Sequence, residues 1–309
     1  MDVSERSLVG SLPYRTVDVP VQGGSLRVGV WGTGGPVVLC AHGVTANHAQ
    51  FLLFAERLGA SVRLIAPDLR GRGRSNRIAG PWGMAAHAAD MVAVLDHFKL
   101  PKADVLLGHS MGGFVAAVAA AQYPDRFGRV VLVDGGVPLM SAAFIAWLPF
   151  SSFIIERIVK MFIGPSLTRL EMTFESREAY RNFWRPHPAL AQDWSPQIEA
   201  YLDYDLEGEP PALRPSTNKA ALLLDARTQL IEDLVARSLK QIRCPVRFLR
   251  APRGLTNAAP LYREDKLARG TAGIANYSCR TLEDVNHFTI MLSERGARAV
   301  AEEVRKLLG

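Results

Sequence analysis

Three residues of this chain are of the types, and stand at the places, that breaking an acyl bond requires. The first is a serine in Val105-Leu-Leu-Gly-His-Ser-Met-Gly-Gly-Phe114, where Ser110 lies between Gly108 and Gly112 in the pattern G-x-S-x-G. A nucleophilic serine must project above the edge of a sheet, so its backbone sits in a strained turn. Residues two before and two after it must be tiny, or their side chains would collide across that turn. A helix starting directly afterwards aims free N–H groups and its positive dipole end at any negative charge that develops there. The apolar run before Ser110 and the Ala-rich run from Val115 to Ala121 predict that strand and that helix.

A serine nucleophile needs a base, and the chain has seven histidines. His287, in Glu283-Asp-Val-Asn-His-Phe-Thr289, follows the last predicted strand and precedes the final predicted helix, and is the candidate. His42 belongs to the loop expected to bind an oxyanion. His109 adjoins the serine, so its ring is expected to point away from it; it is kept as a candidate substrate contact. His48, His87 and His97 fall in predicted helices and read as ordinary surface or core groups. His187 lies in a later segment, as a core group or a substrate contact.

The base in turn needs a carboxylate to hold its tautomer and stabilise the imidazolium. Two predicted strand ends compete for that role. The strand at Val246 to Arg250 runs into Ala251-Pro-Arg-Gly-Leu-Thr-Asn-Ala-Ala259, which holds no Asp or Glu; Asn257 is the nearest polar residue and carries no charge. Glu264 and Asp265 come later, in a predicted helix. The preceding strand ends directly at Asp134, followed by two glycines, so Asp134 is the candidate acid. The oxyanion of a tetrahedral intermediate needs backbone donors, and the N–H groups of Val44, after His42-Gly43, and Met111, after the serine, are the expected pair.

The elements that must position these groups follow from the apolar pattern. Tyr14 to Trp31 alternates around Gly23-Gly24 and predicts a β-hairpin. Short apolar strands at Val37 to Ala41, Val62 to Ala66, around Leu107, Arg129 to Val133, Pro245 to Arg250 and Asn276 to Leu282 alternate with helices at His48 to Leu58, Met84 to Phe98, after Ser110 and at Glu294 to Leu308. Such alternation predicts a mostly parallel sheet covered on both faces, with its active site at the carboxyl ends of the strands. The polar residues at those ends are His42, Asp68, Ser110, Asp134 and His287. Asp68 with Arg70, Arg72 and Arg74 is expected to order a loop beside the site. Gly32-Thr-Gly-Gly-Pro36 lacks the spacing of a dinucleotide loop.

Roughly a hundred residues between Asp134 and Pro245 lack strong strand signals. They read as helices broken at Pro149, Pro165, Pro186 and Pro215, and they carry many of the aromatics. Gly135 to Ile155 contains no charged residue, but Pro138, Pro149 and the leading glycines argue against a membrane span. A lid with its apolar underside over the strand ends fits better, and a weak contact with a lipid interface also fits. Trp147, Phe150, Phe153 and Trp184 of this segment, with His109 and Phe288, are the candidate substrate contacts.

The 309 residues are 48% hydrophobic and 21% charged, with a formal net charge of +6. That composition fits a globular core with an insertion. The arginines are scattered without an aromatic-interleaved basic patch, which argues against nucleic acid. Three distant cysteines offer no metal-ligand spacing and suit a reducing compartment. Met1-Asp-Val-Ser-Glu-Arg lacks a signal-peptide run, so a cytoplasmic location is expected.

His42-Gly43, Asp68-Leu-Arg-Gly-Arg-Gly-Arg-Ser75, Gly108-His-Ser-Met-Gly-Gly113 and Asn286-His-Phe288 together resemble the α/β-hydrolase superfamily. The resemblance implies an α/β fold with a mostly parallel eight-stranded sheet, helices on both faces, a helical cap inserted after the sixth strand, and no cofactor. It also implies Ser110 as nucleophile, His287 as base, and Val44 and Met111 as oxyanion donors. Most members place the acid after the seventh strand, where this chain has Asn257. Some lactonases and haloalkane dehalogenases place it after the sixth, which matches Asp134. A serine at 110 argues against the dehalogenases and epoxide hydrolases, which use aspartate there. The expectation is a core domain of residues 1–137 and 241–309 with a cap of 138–240. Its activity would be cleavage of a small-molecule ester or lactone through an acyl-enzyme, with no metal. The rivals are a carbon–carbon-bond hydrolase or cofactor-free perhydrolase using the same groups, and a ligand receptor with a vestigial triad.

Overall fold

The computed structural model describes residues 12–138, 151–231 and 233–309. Strands β1 (Tyr14–Val21) and β2 (Gly24–Trp31) form the predicted antiparallel hairpin, turned by Gly23 and Gly24, both at positive φ. Strands β3 (Val37–Ala41), β4 (Arg63–Pro67), β5 (Val105–His109) and β6 (Val130–Val133) follow. The first helical stretch opens as a 3-10 turn, His48–Phe51, before α1 (Leu52–Leu58). Helices α2 (Met84–His97) and α3 (Met111–Gln122) flank β5.

After β6 the chain leaves the sheet. It forms α4 (Ser151–Leu170), α5 (Arg177–Trp184), α6 (Pro196–Asp205), a two-residue ladder of β7 (Leu206–Glu207) with β8 (Arg214–Pro215), α7 (Lys219–Ile231) and α8 (Asp233–Gln241). The α5 and α6 starts are capped by Ser176 and Ser195, whose hydroxyls accept from Ala179 N and Ile198 N. Pro165 does not break α4, contrary to expectation. The residue before it is Gly164, which has no Cβ to strike the proline ring, and that clash is what normally excludes helical backbone there. Strands β9 (Val246–Arg250) and β10 (Tyr277–Thr281), separated by α9 (Glu264–Thr271), complete the sheet, and α10 (Thr289–Leu292) leads into α11 (Glu294–Leu308).

The eight-stranded sheet has the order β1-β2-β4-β3-β5-β6-β9-β10, parallel from β4 onwards. Its central strands are apolar without alternation because both faces are covered. Leu106, Val130 and Leu132 pack with α2 and α3, while Val105, Leu107, Val131 and Val133 pack with α1 and α11. Helix α3 is buried along nearly its whole length, since α2 and α8 also press on it. Its run of Gly, Ala and Val is what lets the neighbours come close. Among the described residues no helix is long and apolar enough to cross a membrane.

Candidate active site

The turn at Ser110 has the expected geometry and shows its cause. Ser110 sits at φ 55°, ψ −122°, between the last residue of β5 and the first of α3. A Cβ on Gly108 would lie 2.0 Å from Gly112 O, and one on Gly112 would lie 1.9 Å from Ala41 O. Gly108 is therefore required by the backbone of Gly112, and Gly112 by the end of β3. A glycine at 135 is required as well, because its Cβ would lie 2.0 Å from Ser110 O. The end of β6 thus presses directly on the turn at Ser110.

Three elements bring their polar ends together above the sheet. Ser110 Oγ lies 3.0 Å from His287 Nε2, and His287 Nδ1 lies 2.7 Å from Asp134 Oδ2. The second carboxylate oxygen of Asp134 accepts a hydrogen bond from Ala251 N at 3.1 Å, and the side chain is buried. A buried carboxylate with two donors keeps His287 Nδ1 protonated and leaves Nε2 free to take the serine proton. Asn257 does not enter this chain of contacts. Its Oδ1 accepts from Asn286 Nδ2 at 3.1 Å, and Asn286 Oδ1 in turn accepts from Phe288 N and Thr289 N at 3.0 and 2.9 Å. Asn257 therefore braces the turn that carries His287.

His109 does not turn away from the site. Its buried ring lies beside His287, with ring centroids 4.9 Å apart, and forms part of the cavity wall. Nε2 lies 2.8 Å from the carbonyl oxygen of His287, which can only accept, so Nε2 carries the proton. Burial, helped by the nearby His287, pushes its pKa well below the usual histidine range and keeps the ring neutral. Nδ1 then presents a lone pair with no protein partner.

Val44 and Met111 flank the serine. A Cβ on Gly43 would stand 3.4 Å from Ser110 Cβ, so the chain just before Val44 runs against Ser110. His42 aims that peptide. Leu69 N donates to its Nε2 at 2.9 Å, which leaves Nδ1 as the donor to Gly43 O at 2.8 Å. Burial pushes its pKa down to about 3, against the pull of Asp68, so this tautomer persists at neutral pH.

The Asp68 loop is ordered as expected. Asp68 accepts from His48 N, His48 Nδ1, Arg74 N and Tyr204 Oη, each at 2.8 Å. Burial alone would raise this carboxyl; His48 beside it outweighs burial and holds it below the usual carboxylate range. Arg70 pairs with Asp90 at 2.5 Å, and Arg74 donates to Tyr204 O at 3.1 Å. These cations are engaged in holding the loop and none of them lines the cavity.

The cavity over Ser110 has a volume of about 980 Å³, its open mouth included. Gly43, Val44, Gln50, Phe114, Leu255, Leu261, Tyr262, Phe288 and Leu292 come from around the sheet, and Ile163, Ser166, Tyr201 and Gln229 come from α4, α6 and α7. No Lys or Arg lines it among the described residues. Phe288 is where the sequence placed it. Trp184 is not: it packs with Tyr180 and His187 and under Arg169, in a cluster that reaches the cavity only through Tyr201, Phe288 and Leu292. An aromatic stripe at helical spacing serves a core as readily as a pocket, and here it makes a core. Trp147, Phe150 and the side chain of Phe153 lie outside the described residues. Sequence reasoning missed Gln50, Tyr201, Gln229 and Tyr262, which only the tertiary fold brings to one wall. Among the described residues no cluster of His, Cys, Asp or Glu could hold a metal ion.

Comparison with known proteins agrees with this architecture. A family model for the alpha/beta hydrolase fold matches residues 36–205. Lipase LipV of Mycobacterium tuberculosis is 39% identical over 115 residues, covering 37% of this chain and 43% of the lipase. The 3-oxoadipate enol-lactonase 2 of Acinetobacter baylyi is 27% identical over 213 residues, covering 62% of this chain and 73% of the lactonase. The first curated relatives, uncharacterised mycobacterial proteins, are matched over only 30% of their length. Among solved structures, E-2-(acetamidomethylene)succinate hydrolase superposes with a TM-score of 0.73 at 19% identity, covering 96% of this chain and 99% of that one.

Proposed function

Because this chain belongs to the α/β-hydrolase family, we propose that it is a serine hydrolase cleaving a neutral carboxylic ester or lactone with a largely apolar body. The observation that carries the reading is the continuous line Ser110 Oγ, His287 Nε2, His287 Nδ1, Asp134 Oδ2, with distances of 3.0 and 2.7 Å, at the floor of a mostly apolar cavity. Ser110 Oγ adds to the carbonyl carbon as His287 takes its proton. The oxyanion is held by the N–H groups of Val44 and Met111. His287 then returns the proton to the departing alkoxide, leaving an acyl-enzyme. Water, deprotonated by the same histidine, releases the acid. Residues 138–240 act as the cap, because α4, α6 and α7 supply one wall of the cavity. Asp134, rather than any group after β9, is the acid.

The neutral substrate follows from the lining. Among the described residues the wall holds no cation, so a carboxylate brought into it loses its hydration and finds only neutral donors such as Gln50 and Tyr201. The lactonase and the succinate hydrolase above are named for acid substrates. Among the described lining residues no cation stands ready for such an acid.

The test is turnover of nitrophenyl esters of rising acyl length and of one macrocyclic lactone. Ser110→Ala should lower kcat by about a millionfold with melting nearly unchanged; retained turnover refutes the nucleophile. A half-ester bearing a free carboxylate should react about a hundredfold more slowly than its fully methylated diester, as expected when a charge is desolvated without a partner. Equal rates would refute the neutral-substrate reading. Product analysis distinguishes ester cleavage from carbon–carbon cleavage or perhydrolysis, and tight binding without turnover would point to a receptor.

A further inference from the structure

Arg72 stands behind the oxyanion loop and touches both residues expected to donate to the oxyanion. Its Nε donates to Val44 O at 2.9 Å, and its Nη2 lies 3.8 Å from Met111 Sδ. Val44 is therefore pinned on both sides: His42 holds the peptide before it and Arg72 the peptide after it. With both neighbouring carbonyls fixed, the direction of the Val44 N–H is set before substrate arrives.

The guanidinium is itself aimed from the inserted segment. Its Nη1 donates to Arg70 O at 2.9 Å and to Asp225 Oδ2 of α7. Asp225 is fully buried, and Arg72 and His87 are as well. The carboxylate also accepts from Gly83 N at 2.7 Å and pairs with His87 Nε2 at 2.9 Å. Burial alone would raise the Asp225 carboxyl; His87 and Arg72 beside it outweigh burial and hold it ionised. A buried arginine with a fixed carboxylate has its planar fork locked in one orientation.

Resting on the oxyanion hole assigned above, we propose that Asp225 is a positioning residue for the reaction: through Arg72 it fixes the Val44 peptide, so seating of the inserted segment on the core completes the oxyanion hole. Asp225 touches neither substrate nor the reacting atoms. Its effect falls on the transition state and not on ground-state binding.

The experiment compares wild type with Asp225→Asn, which removes the charge at constant size, and with Asp225→Glu, which keeps it. Arg181→Gln is the control; it opens an ion pair with Asp203 that lies wholly inside the inserted segment. Kinetics on the best nitrophenyl ester are read together with inhibition by hexyl trifluoromethyl ketone. Ser110 Oγ adds to that ketone's carbonyl carbon, the serine proton passes to His287, and a hemiketal oxyanion is left in the hole. Hexyl methyl ketone, which stays a ground-state ligand, is the binding reference.

Losing a whole oxyanion donor lowers kcat by about a hundredfold to a thousandfold, and loosening one should give part of that. Asp225→Asn should lower kcat by roughly thirtyfold and raise the trifluoromethyl ketone Ki in proportion, with KM and the methyl ketone Ki within about twofold. Asp225→Glu should recover at least a third of the lost kcat, and Arg181→Gln should match wild type. Where Asp225→Asn does not fold, Asp225→Glu carries the test, with a parallel fall in kcat and rise in trifluoromethyl ketone Ki. Unchanged kcat and Ki in an active, folded Asp225→Asn, or in Asp225→Glu where that variant alone folds, overturn the proposal alone, as does an equal loss of methyl ketone binding. A wild type that turns over no ester and forms no hemiketal at Ser110 overturns the parent reading, and this inference with it.

Discussion

The ends of β6 and β9 lie side by side, with Val133 opposite Leu249, yet they serve the histidine in different ways. The β6 end delivers Asp134, at φ 45°, onto His287 Nδ1. The β9 end delivers no carboxylate. Its Ala251 N–H holds Asp134, and its Asn257, at φ 61°, holds Asn286 next to the histidine. One strand end supplies charge to the imidazole ring and the other supplies shape to its backbone. Both residues are strained non-glycines in the left-handed region, a cost met only where a specific hydrogen bond requires that direction. Neighbouring strand ends thus hold one histidine from two sides, one at its ring and one at its backbone.

The sharpest break of that comparison is Asp134→Asn. It should lower kcat by about ten-thousandfold, since the amide favours the wrong imidazole tautomer, with KM little changed. A loss under about a hundredfold would mean that another group orients His287. The double variant Asp134→Asn with Asn257→Asp is the next test. Asn257 faces Asn286 and not His287 Nδ1, so the relocated carboxylate should recover less than about tenfold of the activity. Fuller rescue would show the two strand ends to be interchangeable. The smallest effect is expected from Asn257→Ala, which removes one neutral hydrogen bond worth about 1 kcal/mol. It should cost roughly fivefold in kcat/KM and lower the melting temperature slightly. An effect as large as that of Asp134→Asn would move Asn257 into the catalytic chain.

Much of the site is legible in the order of residues along the chain. The run from Val105 to Phe114 requires small residues at fixed offsets, and the clashes at Gly108 and Gly112 show why. The lack of a carboxylate from Ala251 to Ala259 points away from β9 and towards Asp134. The inserted segment is less legible. Trp184 has the pattern of a pocket residue, yet it sits with Tyr180 and Phe174 in a cluster behind the cavity wall and does not line it. Helix α4 runs through Pro165, where a proline rule predicts a break. Arg72 reads as part of a loop-ordering cluster; that its partner is Asp225 has no signal in the sequence at all, because the two are 153 positions apart.

Local sterics and short-range periodicity write some features into adjacent residues. These are the strained turn at Ser110, the strands buried on both faces, the strand-end position of Asp134 and the turn before His287. Which distant side chains share the cavity depends on the packed fold. Gln229 and Tyr201 meet the apolar residues around the sheet, His109 turns its ring onto His287, and Asp225 reaches Arg72 behind the loop at Val44. Such contacts depend on how whole elements pack, and packing is set by the summed shape of many side chains rather than by any spacing along the chain.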